Sequence, residues 1–232
     1  AVNLADRFVL VGDHEQLPPV VQTENDLSES LFERLIHQSP EASVMLDRQY
    51  RMSQRIQAFS SREFYDGELR PASGEVAAQR LADLPHVAET EVSAAVRGNG
   101  GVAFVDPDGR AEGNTNPVEA ERVADIVGEF LAAGVEPGEI GVIAPFRAQV
   151  AEIGRRVSDG VTVDTVDRFQ GSSKEVIVVS FVATQDLDSP IFEDYRRVNV
   201  ALSRAKKSLV LVGDEETLRS DDRYARMVEW AS

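Results

Sequence analysis

One arginine stands out by what surrounds it. Arg204 lies near the end of RRVNVALSRAK (196–206). Read as a helix, that run gives Arg204 the neighbours Val200, Ala201, Lys207 and Ser208, with no carboxylate among them. Arg197 and Arg204, seven positions apart, then share one helix face, with small Ala201 between them. Arg51 follows Gln49-Tyr50. Arg204, without a local carboxylate, must look elsewhere for an anion. The plainer alternative is that Arg204 complements a helix C-terminal dipole.

Other side chains of this kind lie in short stretches. Gly12-Asp-His-Glu-Gln-Leu-Pro-Pro19 puts Asp13 and Gln16 in a loop stopped by a proline pair. Tyr50 sets an aromatic ring beside Arg51, and on its type alone a core position is as good a reading as any other. Pro145, Phe146 and Arg147 set a ring beside a cation, the pairing that single strands use for base and phosphate. A core position for Phe146 is the alternative. Thr165 supplies a hydroxyl adequate for a backbone phosphate. Gly171 permits a tight backbone, and the Ser173 hydroxyl can donate or accept. The three histidines (His14, His37, His86) lack ligand spacing and there are no cysteines, so no metal site is expected.

These residues need strand ends and helix starts to hold them. Arg7–Gly12, Ser43–Leu46, Gly101–Val105, Ile140–Ala144, Val161–Val166, Glu175–Val182 and Ser208–Gly213 read as strands. EVIVVSFV (175–182) is apolar almost throughout, as a strand buried in a parallel sheet must be. Asp26–Gln38 reads as an amphipathic helix stopped at Ser39-Pro40 and bridging two domains. Ser53 caps the next helix, through Ile56, Phe59 and Phe64. Asn116-Pro117 with Glu119 starts a scaffold helix whose stripe is Val118, Val123, Ile126, Val127, Phe130 and Leu131. Pro71–Gly101, poor in large apolar residues, reads as a surface excursion without chemistry, and Asp221–Trp230 as a closing helix. The alternation predicts an α/β fold with a doubly wound parallel sheet.

GDHEQLPP, QYRM, TVDRFQG and RRVNVALSRAK, in this order, resemble motifs III, IV, V and VI of superfamily 1 helicases of the 5′-to-3′ branch. Together with LSESLFERL, FYDGEL and VSFV, they are most similar to the replication helicase-nucleases that trim Okazaki flaps. The nonsense-mediated-decay RNA helicases come next. The resemblance covers nearly the whole chain. It implies a RecA-like P-loop NTPase fold, with residues 1–40 ending a first RecA-like domain and its connecting helix, and 41–232 forming the second. It implies ATP and Mg²⁺ as cofactors, single-stranded DNA as the track, and ATP-driven 5′-to-3′ unwinding in replication and repair. By the same resemblance Gln16 senses the γ-phosphate, Tyr50 stacks on the base, and Arg51 and Arg204 reach the phosphate. Asp13, Gly171 and Ser173 would line the nucleotide, although relatives carry an acidic residue where Ser173 stands. Pro145, Phe146, Arg147 and Thr165 would follow the single strand. No G-x-x-x-x-G-K-[ST] occurs. The phosphate loop and Mg²⁺ ligands are therefore expected in an N-terminal RecA-like domain of the same protein, and these residues alone should hydrolyse no ATP. Two alternatives stand: an RNA helicase or RNA–protein remodelling ATPase with the same motor, and a non-enzymatic nucleic-acid-binding module. The set Gln16, Arg51 and Arg204 speaks against the second.

The 232 residues carry a formal charge of −16, and the pI is about 4.6. Of 24 basic residues only Lys174, Lys206 and Lys207 are lysines, leaving 21 arginines. An acid-rich, lysine-poor surface resembles those of proteins from salt-loving organisms. Any path for nucleic acid must be a local feature rather than a global field. No apolar run is long enough for a membrane span and no signal pattern opens the chain, so cytoplasm is the expected compartment. The chain starts without Met just before an apolar run, as a fragment would.

Overall fold

Apolar side chains that alternate along parallel strands need cover on both faces, and the chain provides it. The computed structural model describes residues 7–18, 30–84 and 88–232. A short parallel pair, β1 (Arg48–Gln49) and β2 (Arg70–Pro71), precedes the main sheet. The sheet is formed by β3 (Val102–Val105), β4 (Ile140–Ala144), β5 (Thr162–Thr165), β6 (Lys174–Ser180) and β7 (Ala205–Val212). All five are parallel, in the order β3-β7-β6-β4-β5. Ile143, Ile177, Val179, Leu209 and Leu211 face one core, covered by the helices Gln54–Phe64, Arg196–Leu202 and Asp222–Ala231. Val142, Val176, Val178, Val210 and Val212 face the other, covered by Glu91–Gly98, Pro117–Ala132 and Arg147–Gly154. This is the doubly wound α/β arrangement that the sequence pattern predicts.

Helix starts follow the sequence closely. Ser53, Asn116 and Asp221 each accept from a backbone N–H of the first turn. Several expectations fail for identifiable reasons. Arg7–Gly12 and Ser43–Leu46 are not strands: no neighbouring strand pairs with them among the described residues, and Val9, Val11 and Val44 stand at least 85% exposed. An apolar run does not make a strand without a ladder partner. The helix expected from Asp26 is seen as Leu31–Gln38; residues 26–29 lie outside the described residues. Pro71–Gly101 is not only a surface excursion. Its helix Glu91–Gly98 buries Val92 and Val96, and Leu81 is buried in the same core. Val118 falls outside its expected stripe, 47% exposed. The helix read through Lys206 ends at Leu202, because the Arg204 carbonyl already accepts from Lys174 N (3.0 Å) as β7 joins β6.

Candidate nucleotide site and strand-facing loop

Arg51 is aimed by its own neighbours. Gln49 Oε1 accepts from the N–H groups of Arg51 and Met52 at 2.9 and 2.7 Å, fixing the turn after β1. Met52 is buried, and Ser53 N donates to the Lys206 carbonyl at 2.9 Å, docking the turn on the start of β7. Arg51 Nη1 then reaches the Ser203 carbonyl at 2.9 Å.

Arg204 arrives at the same place from the other side. It sits at the junction of helix and strand rather than on the helix, 2% exposed. Its guanidinium donates to the Val200 carbonyl (2.9 Å), the Ser203 hydroxyl (2.8 Å) and the Ser172 carbonyl (3.3 Å), all neutral. Among the described residues no carboxylate pairs with either arginine. Burial, and then the charge of Arg51, push the Arg204 guanidinium down from 12.5 to about 10; burial lowers Arg51 as well. Two cations held close, Arg204 buried and Arg51 half-buried, with the Asp13 carboxylate acting on Arg204 only from beyond ion-pair distance, offer a receptacle for a further anion. Arg197 does not share this face with Arg204. It lies 3.8 Å from Asp167 and 3.9 Å from Asp194.

The loop after Gly12 leans on this cluster. Asp13 Oδ2 accepts from Gln16 Nε2 (2.6 Å) and from the Tyr65 hydroxyl (2.7 Å). Asn199 Nδ2 donates to the Tyr65 hydroxyl (2.9 Å) and to the Glu15 carbonyl (2.8 Å). Burial, with Asp13 alongside, holds the Tyr65 phenol far above its usual range and therefore protonated. Tyr65 and Asn199 are contributors that sequence reasoning missed. Both lie inside motifs quoted for their resemblance, FYDGEL and RRVNVALSRAK, and a buried-type hydroxyl or amide there was the available signal. The Gly171–Ser173 turn completes the cluster. Gly171 has φ +89°, open to glycine without strain, and its neighbour Ser172 presents the carbonyl that Arg204 meets. Tyr50, next to Arg51, is 80% exposed and so is not core.

Pro145, Phe146, Arg147 and Thr165 come together elsewhere, at the carboxyl ends of β4 and β5, where Ala144 and Thr165 are in register. Thr165 is buried at the start of the short Val166–Phe169 helix. Phe146 is half-buried, edge-on to Phe192 with centroids 6.4 Å apart, so the core alternative holds for part of its ring. Arg147 is exposed. The nucleotide-type cluster, by contrast, lies at the amino ends of β6 and β7. Among the described residues no group of three or more His, Asp or Glu could hold a metal ion, and no helix is long and apolar enough to cross a membrane.

Residues 27–216 match the model of the AAA domain family. The chain is 37% identical over 236 residues to an uncharacterized ATP-dependent helicase, MJ0104, of Methanocaldococcus jannaschii, covering 97% of this chain and 35% of that protein. It is 37% identical over 255 residues to the DNA replication ATP-dependent helicase/nuclease DNA2 of Xenopus laevis, covering 97% and 24%. For the DNA replication ATP-dependent helicase/nuclease JHS1 of Arabidopsis thaliana the identity is 38% over 236 residues, covering 92% and 17%. The chain thus spans about a third or less of the length of these relatives.

Proposed function

The chain belongs to the AAA domain family, and on that premise we propose that it is the C-terminal part of an ATP-driven DNA helicase motor. In this reading residues 1–40 end a first RecA-like domain and 41–232 form the second, with the phosphate loop and Mg²⁺ ligands supplied from outside these residues. The observation that carries the reading is the convergence of Arg51 and Arg204 on Ser203, buried or half-buried and without a carboxylate. ATP fits that vacancy of charge, and exposed Tyr50 beside it offers a ring for the base. The relatives named above are ATP-dependent helicases, two of them of DNA replication, which supports the substrate class.

When bound, ATP supplies the phosphoryl group whose transfer to water releases the free energy of the cycle. The work of this chain is electrostatic. Arg51 and Arg204 stabilise charge on the terminal phosphate, with Arg204 already withdrawn from water. Gln16, whose amide donates to Asp13 in the structure, would exchange that carboxylate for a phosphate oxygen on sensing the nucleotide. Because Asp13 is tied through Tyr65 to Asn199, a shift of Gln16 is felt by the helix that leads to Arg204. Thr165 and Pro145–Arg147 hold the single strand, with Arg147 on phosphate and the free edge of Phe146 on a base. Alternating closure of the two domains turns these contacts into steps.

The test is single-strand-stimulated ATP hydrolysis by the full-length protein that contains this chain. Arg204→Ala and Arg204→Lys should each lose on the order of 10³-fold in turnover, with single-strand affinity retained. An active Ala variant removes the motor reading.

A further inference from the structure

Away from the arginines, a second polar cluster is buried. Glu119, on the first turn of Pro117–Ala132, is fully buried. Its Oε1 accepts from the Ser180 hydroxyl (2.6 Å) and the Val182 N–H (3.0 Å). Its Oε2 accepts from Val182 N (3.2 Å) and Asn116 Nδ2 (3.5 Å). Every contact donates to the carboxylate, so the pocket is arranged for an acceptor. Among the described residues no arginine, lysine or histidine pairs with it; the charge that acts on it is Asp106, just past β3.

Gln149 extends the cluster, also fully buried. Its Oε1 accepts from Asn116 N (2.9 Å), and its Nε2 donates to the Asn116 carbonyl (3.2 Å) and to Ser180 Oγ (3.2 Å). Gln149 lies on the first turn of the helix that begins at Arg147, two residues past the Phe146–Arg147 pair. Val182, two residues beyond β6, has φ +68°. A β-branched residue rarely occupies that region, and such strain persists only where the surroundings over-determine it. Here the bond from its N–H to Glu119 is the visible restraint.

We propose that Glu119 is a positioning residue for nucleic-acid binding: through Gln149, Ser180 and the Val182 backbone it sets the carboxyl ends of β4 and β6 in the arrangement that grips a single strand. The proposal rests on the reading of Pro145–Arg147 as the strand-facing loop. Packing alone does not require it, since Val123, Ile126, Val127 and Phe130 already bury the helix against the sheet. The cluster ties together three segments that hydrophobic contact would leave free to slide: the start of the helix, the loop after β4 and the turn after β6. Burial pushes the Glu119 carboxyl up to about 7, so its ionisation is accessible to experiment.

The test uses anisotropy of a fluorescein-labelled oligothymidylate of about 20 nucleotides, with Arg147→Ala as a direct-contact control and thermal melting of every variant. Glu119→Gln, which turns one acceptor into a donor facing donors, should weaken binding on the order of tenfold. Ser180→Ala, which removes the shortest bond to Glu119, should weaken it in the same direction. Wild-type affinity should tighten from pH 6 to pH 8 as the carboxylate forms, and the Gln variant should lack that rise; a purely structural role would not move the pH profile. If Arg147→Ala weakens binding while Glu119→Gln and Ser180→Ala bind like wild type with its pH profile, the positioning role is overturned. If Arg147→Ala has no effect, or wild type does not bind, the strand-facing reading itself fails. Should Glu119→Gln not fold, Ser180→Ala and the wild-type pH profile decide alone.

Discussion

Replacing Arg204 by methionine separates a functional cation from a structural tie. The drop of its guanidinium from 12.5 to about 10 corresponds to a cost of roughly 3 kcal/mol for carrying the charge at neutral pH. That cost is present at every pH below about 10 and disappears only as pH rises from there toward 12.5, so ordinary buffers do not alter it. Against it stand three hydrogen bonds from a charged donor, about 1.5 kcal/mol each at the low end. Methionine keeps the apolar stem and drops both. The balance is a loss of about 1–2 kcal/mol, which for a chain of this size lowers Tm by about 2–8 °C. A nucleotide that binds through Arg204 should stabilise the wild type by about 1.4 kcal/mol at tenfold over its Kd, and the variant by far less. The assay is thermal melting of the full-length protein with and without a non-hydrolysable ATP analogue. A fall of 10 °C or so without nucleotide would make Arg204 a structural tie. Undiminished stabilisation of the variant by the analogue would show that the anion is held elsewhere.

The buried carboxyl of Glu119 also makes stability depend on pH. Its folded-state value, raised from 4.5 to about 7, means the folded chain holds a proton that the unfolded chain has lost. Stability from this group is therefore greatest below about 4.5, declines by about 3 kcal/mol as pH rises to about 7, and is level above that. Urea unfolding at several pH values should show that decline in wild type and a flatter line in Glu119→Gln; parallel lines would place the charge in water. The formal charge of −16 leads to a further expectation: Tm should rise from low salt to molar KCl as self-repulsion is screened. A flat curve would remove the salt-adaptation reading.

Much of this was legible because it is local. Ile140–Ala144 is a strand with the bounds its apolar run predicts, Ser53 and Asn116 cap where their types and neighbours say they should, and the closing helix lies within a residue of its expected bounds. The motifs single out Arg51, Arg204, Gly171 and Ser173; the fold brings the two arginines to Ser203 and Arg204 to the Ser172 carbonyl, between the other two. What the sequence hides is non-local. Nothing in VNVALSRAK breaks a helix, so the end at Leu202 is set by β6 capturing the Arg204 carbonyl. The bonds of Tyr65 to Asp13 and of Glu119 to Ser180 span 52 and 61 positions, beyond any periodicity. Glu119 reads in sequence only as part of a helix start, and nothing local shows that its carboxylate is buried.

The parallel sheet has a mechanical consequence. The arginine cluster adjoins the amino ends of β6 and β7, whereas the Pro145 loop leaves the carboxyl end of β4, and the seven residues of β6 span about 20 Å between those levels. β6 and β7 are hydrogen-bonded along both edges and covered on both faces. A slip of one residue would turn Val178 and Val210 into the core of Ile177 and Leu209, and those into the other. The strands can therefore neither stretch nor creep. They act as stiff rods, and the compliance of the molecule is confined to the turns at their tips. A displacement imposed at one end of a rod is passed along it rather than absorbed in the sheet, so movement at either end depends on how far the tip turns can yield.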